Sequence, residues 1–210
     1  MFVFGGKYNP ENIIFNSDED REQLIKDISN NGIFFICSHI GNIEVMRCLT
    51  DYKEYSVCKS VSIFLQANQC KIFSEFINKI SQGNNKLKIY PVEEIGINTA
   101  IELEENIKNN GICFMAGDRI SAGNPQKTAI VTLLNKKIEI PTGVFKMAQI
   151  MNTEICFVSC IKEKNKYRVF MKKPSAISDI NTIQKEYAQF LESMILKSPY
   201  QFYHFYDYFI

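Results

Sequence analysis

The amino-acid sequence predicts an α/β fold, a single domain built on a central, mostly parallel sheet flanked by helices. Three observations predict it. Short β-branched or aromatic runs alternate with longer stretches of helical periodicity, the pattern of a parallel sheet covered by helices. Residues 29–37 and 108–115 share one design, an Asn-Asn-Gly stop followed by an apolar strand buried on both faces. The 210 residues, 46% hydrophobic with ten Gly and six Pro, suffice for one core and exclude disordered, collagen-like and coiled-coil chains.

The elements follow in order. Ser17 caps a helix whose first turn carries Asp18, Glu19 and Asp20 and whose apolar face is Leu24, Ile25 and Ile28, with Asn31-Gly32 as its stop. A strand is expected at 33–38 and a helix at 42–50. A strand near 56–65, a helix at 69–81, a strand at 87–92, a helix at 97–109 and a strand at 112–116 come next. Residues 128–140 read as two short strands around Asn135-Lys136-Lys137, and Pro141 opens a helix to about Met151. Strands near 154–161 and 167–172 join through Glu163-Lys164-Asn165-Lys166, and a helix covers 181–197. One domain, 1–210, is expected, with 1–30 as a possible N-terminal extension.

Charge narrows the function classes. The 24 basic and 23 acidic residues leave a net charge of +1, so no global field recruits nucleic acid. From Lys136 to Lys173 nine basic residues face three acidic ones, a local basic stretch. The longest apolar runs, such as Ile33–Cys37, fall far short of the ~18 residues of a membrane span. The N-terminal residues also lack the basic-then-apolar pattern of a secretion signal. Seven cysteines, an odd set with no Cys-x-x-Cys, sit mostly in apolar runs and point to a reducing cytoplasm. With only two histidines, no metal site is expected and no cofactor is implied.

The informative segments follow the two like strands. Ser38-His39-Ile40-Gly41-Asn42-Ile43-Glu44 follows the first, and Gly117-Asp118-Arg119 the second. Ligands of open parallel sheets bind at the carboxyl ends of strands, so the site is expected between these clusters. His39 is the candidate general base. Glu44 can orient its ring if His39 lies in the turn and Glu44 in the first helical turn. The N–H groups near Gly41 and Asn42 then offer an oxyanion position. Arg119 carries a rigid fork of donors suited to phosphate or carboxylate. Ser121 lacks the surroundings of a nucleophile elbow and reads as loop. His204, among seven aromatic residues between Tyr200 and Ile210, reads as structural.

These segments resemble those of a known family. Ser38–Glu44 looks like the His-x4-Asp/Glu motif of the lysophospholipid acyltransferase superfamily, in the His-x-Gly-Asn-x-Glu form of its lipid A biosynthesis (lauroyl/myristoyl) acyltransferase branch. Gly117-Asp118-Arg119 resembles the Asp-Arg or Asp-Gln element of that branch. Leu133–Lys137 through Pro141-Thr142-Gly143 to Ala148 is similar to its Pro-x-Gly and helix pattern, and Ser198–Phe209 to its closing aromatic segment. The elements occur in family order over roughly residues 30–210. Ile43, Phe202 and Phe209 stand where the family often has tryptophan, and Phe64–Asn68 where lauroyl transferases carry an arginine-rich element.

The resemblance implies a glycerol-3-phosphate acyltransferase-like fold and an O-acyltransferase. The fatty acyl group would pass from a thioester on acyl carrier protein or coenzyme A to a hydroxyl of a lipid or glycolipid. It implies His39 as base, Glu44 as its partner, and Asp118 and Arg119 lining a substrate pocket. The implied location is cytoplasmic, peripheral on the inner face of the cell membrane. The membrane lead usual in the family has no counterpart before the motif, so a minimal form or part of a larger protein is expected. A non-catalytic acyl- or carrier-binding module and a thioester hydrolase are the alternatives.

Overall fold

Ser17 accepts a hydrogen bond from the Asp20 N–H (3.1 Å), satisfying one of the donors left open at a helix start, and three acidic residues in the first turn favour the same end. The helix it caps, α1 (Asp18–Asn31), buries Leu24 and Ile28, each worth roughly 1.5–3 kcal/mol when fully removed from water. The computed structural model describes residues 12–42, 58–71, 87–120 and 127–210. Within them, β1 (Ile13–Phe15) precedes α1, followed by β2 (Ile33–Gly41), β3 (Val61–Leu65) and β4 (Leu87–Pro91). Then come α2 (Ile97–Lys108), β5 (Ile112–Ala116), β6 (Thr128–Leu133), β7 (Lys136–Pro141), α3 (Gly143–Ile150), β8 (Glu154–Glu163), β9 (Lys166–Lys172) and α4 (Ile180–Lys197).

Seven strands form one sheet in the order β1-β9-β8-β2-β5-β3-β4, parallel throughout except for the antiparallel β8–β9 pair. The two like segments are its centre: β2 and β5 lie side by side, with Ile33 opposite Ile112 and Cys37 opposite Ala116. Alternation along β2 divides the core. Phe34 and Ile36 face α2, α3 and α4, while Ile33, Phe35 and Cys37 face α1. The chain is thus an α/β structure whose mostly parallel sheet is covered by helices on both faces. Within 1–30, β1 pairs with β9 and α1 packs on the sheet.

β6 and β7 form a separate antiparallel hairpin, turned by Leu134 and Asn135 at φ 52° and 61°. Two consecutive residues with positive φ match the twist of a two-residue hairpin turn. β7 extends to Pro141 and α3 begins at Gly143, so the proline ends a strand where a helix start was expected.

The larger difference lies at β2. The strand was expected to end at Ser38 and a helix to begin at Asn42, but β2 runs on to Gly41. Its register against β8 shifts on the way: Cys37 pairs with Val158, whereas Gly41 pairs with Cys160. Residues 38–40 therefore bulge, and a bulge re-aims side chains that a regular strand would alternate. Gly41 closes the bulge at φ 69°, and a Cβ there would lie 2.1 Å from the Cys160 carbonyl oxygen. Only glycine fits both constraints. Residues 67–71 are helical, while the rest of the helices expected at 42–50 and 69–81, together with Glu44 and Ser121, lies outside the described residues.

Candidate functional site

The bulge in β2 places His39 beside the carboxyl end of β5. Two residues beyond that end lies Asp118, reached through Gly117, whose N–H donates to the Cys37 carbonyl (2.9 Å). A Cβ on Gly117 would meet Ile36 at 2.9 Å and the Tyr187 ring at 3.1 Å, so a side chain here would push the Asp118 turn away from the sheet.

Asp118 is fully buried, and its carboxylate is turned onto His39 twice. Oδ2 accepts the His39 backbone N–H (2.8 Å), and Oδ1 lies 2.9 Å from the ring Nδ1. With Nδ1 protonated toward the carboxylate, Nε2 is left as the basic nitrogen. The orienting role foreseen for Glu44 is filled, among the described residues, by Asp118 from across the sheet. Asp118, expected to line a substrate pocket, presents no side-chain surface among the described residues: its side-chain exposure is 0%, against 39% for His39.

Beside His39 opens a cavity of about 590 Å³. Phe64, Ile95, Met115, Val144 and Met147 supply apolar wall, and Arg119, Lys127 and Lys146 supply positive charge. Arg119 therefore borders the cavity as foreseen for a substrate-binding residue. It also donates to the Tyr203 carbonyl, and its Nε is buried with no partner among the described residues. Gly41 and Asn42 are occupied differently from the expected oxyanion role. Gly41 serves the bulge, and the Asn42 N–H donates to the Cys160 carbonyl (2.7 Å).

The C-terminal segment completes the site. Ile40 and Phe202 form an antiparallel bridge, and the Tyr203 N–H donates to the His39 carbonyl (3.0 Å). The Tyr208 hydroxyl donates to the Asp118 carbonyl (2.9 Å), and Tyr206 lines the cavity. Burial, reinforced by the Asp118 carboxylate, holds the Tyr208 and Tyr187 hydroxyls far above the usual phenol range, so both act as neutral donors. The Tyr187 hydroxyl is used on the Cys37 carbonyl (2.8 Å). Burial likewise drives the Cys37 thiol well up, which removes it as a nucleophile.

His204, read from sequence as structural, lies in this same cluster. Its side chain is 3% exposed and its Nε2 is 3.3 Å from Asp118 Oδ2. Both histidines of the chain thus face one carboxylate. No cluster of three His, Cys, Asp or Glu side chains suited to a metal ion occurs among the described residues. Neither protein-family models nor curated proteins give a match to the chain.

Proposed function

We propose that the chain is an O-acyltransferase that moves a fatty acyl group from a thioester, on acyl carrier protein or coenzyme A, to a hydroxyl of a lipid or glycolipid. The observation that carries this reading is a solvent-reachable imidazole, oriented by a buried carboxylate, at the wall of a mainly apolar cavity with cationic residues. The glycerol-3-phosphate acyltransferase-like fold implied by the motifs belongs to the same proposal.

In this mechanism Nε2 of His39 takes the proton of the acceptor hydroxyl as its oxygen attacks the thioester carbonyl. Asp118 stabilises the imidazolium that forms. Collapse of the tetrahedral intermediate breaks the carbon–sulfur bond, and the proton passes from His39 to the departing thiolate. The products are an ester and a free thiol, with no oxidant or cofactor required. General base catalysis of this kind contributes typically ~10²–10⁴-fold. The acyl chain would lie along Phe64, Met115 and Met147, with Arg119, Lys127 and Lys146 facing a phosphate on donor or acceptor.

The proposed location is the inner face of the cell membrane, held peripherally. No helix among the described residues is long and apolar enough to cross a bilayer. Tyr200, Phe205 and Tyr206 are exposed, and Lys136 lies 5.0 Å over the Phe209 ring, a pairing of rings and cations suited to an anionic lipid surface.

The test is product analysis with acyl thioesters and hydroxyl lipids presented in anionic or neutral vesicles. The proposal predicts that thiol release depends on acceptor, yields an ester and is faster on anionic vesicles. Free fatty acid regardless of acceptor would identify a hydrolase. A donor that is bound and protected from turnover would identify a binding module.

A further inference from the structure

The proposed mechanism uses His39 and Asp118 and leaves the second histidine without a task. His204 nonetheless lies against the same carboxylate. Its ring stacks on Phe202 (centroids 4.2 Å, interplanar 24°) and on Tyr206 (5.2 Å, 24°), and meets Tyr208 edge-on (4.1 Å, 87°). These contacts clamp the ring with Nε2 3.3 Å from Oδ2 of Asp118, close enough for a hydrogen bond after a small rotation of either group, while the His39 ring lies 6.2 Å away. Neither ring nitrogen has a well-aligned partner among the described residues. A buried imidazole with both nitrogens idle is costly, and among the described residues Oδ2 of Asp118, 3.3 Å from Nε2, is an acceptor in reach.

We infer that His204 is a positioning residue for the proposed acyl transfer, donating from Nε2–H to Oδ2 of Asp118 so that Oδ1 stays on the Nδ1–H of His39. His39 already holds both oxygens, Oδ2 by its backbone N–H and Oδ1 by its ring. A further donor on Oδ2, from a different part of the chain, keeps the carboxylate plane in place when the His39 ring moves or takes a proton, and through it the direction of Nε2 of His39. Apo-state hydrogen bonds of this type are often long and tighten when substrate binds.

The groups facing His204 decide its charge. Burial lowers its pKa to about 4; Asp118 pulls it upward, whereas Arg119 and His39 push it down, and the Tyr206 and Tyr208 hydroxyls are neutral. His204 is therefore an uncharged donor at pH 7. That suits the role: a cation here would oppose proton uptake by His39 a few ångströms away. No proton leaves His204 in this scheme.

The role rests on the acyltransferase reading, but its first test does not. With only two histidines, nitrogen-15 NMR of the imidazoles gives two sets of signals, and His39→Ala leaves His204 alone. At pH 7 His204 is expected as the neutral Nε2–H tautomer; the Nδ1–H tautomer overturns the inference whatever the activity. Kinetics supply the second test. His204→Phe keeps the ring and removes the donor, and His204→Gln returns an N–H near the position of Nε2. The Phe variant should lose about tenfold in kcat with KM unchanged, since His204 does not line the cavity, and the Gln variant should recover most of the loss. A folded Phe variant with wild-type kcat overturns the inference. Turnover that persists in His39→Ala would instead overturn the acyltransferase mechanism, leaving the tautomer result standing.

Discussion

A neutral, buried histidine writes itself into the pH dependence of stability. His204 has a pKa of about 4 in the folded chain against 6.5 for the free side chain. Because the folded state resists protonation, this group's contribution is complete above about pH 6.5 and is lost as pH falls toward 4. Screening by nearby solvent reduces what such a shift would be worth in a dry interior, leaving on the order of 1–3 kcal/mol. Urea unfolding at pH 7 and at pH 4 should show wild-type protein losing more stability than His204→Phe, by up to that amount; equal losses would contradict the assignment. His39 was legible as a base candidate because histidines are scarce and this one follows an apolar run. Its partner was not. The Asp118 carboxylate is 79 residues distant, and only the pairing of β2 with β5 brings it within 2.9 Å. The place of His204 was hidden similarly, since aromatic neighbours in sequence suggest packing and say nothing of a carboxylate beside the ring.

At the scale of elements, the bulge in β2 aims the candidate base, His39. Sequence periodicity located every strand of the described residues except β1 to within about five residues, because buried parallel strands are continuous apolar runs, whereas the three-residue β1 is too short to show a pattern. It did not reveal that the strand continues beyond Ser38, since Ser-His-Ile-Gly-Asn reads as a turn and the bulge depends on β8 as much as on β2. The glycine in this segment resembles a ligand-binding glycine in sequence, yet its position is dictated by the Cys160 carbonyl. Gly41→Ala should therefore destabilise the fold by about 2 kcal/mol or more, through left-handed backbone strain together with the clash. Thermal unfolding measures it. A variant as stable as wild type would mean that the bulge can relax and that Gly41 is required for something else.

Across the whole molecule, the site is assembled from parts distant in sequence. β2 brings the candidate base His39, the turn after β5 the carboxylate, α3 and the strands one wall of the cavity, and the last twelve residues a strap that carries His204 to the same carboxylate. This arrangement agrees with the general placement of ligands at the carboxyl edge of parallel sheets, which is why the neighbourhood of the site was legible from strand order while its contacts were not. If His39 and Asp118 form one device, removing both should cost no more than removing His39. The decisive measurement is acceptor-dependent kcat/KM for wild type, His39→Ala, Asp118→Asn and the double variant. The account predicts a loss of about 10²–10⁴-fold for His39→Ala, a smaller loss for Asp118→Asn, and a double variant no slower than His39→Ala. Unchanged turnover in His39→Ala, or single losses that multiply in the double variant, would contradict it.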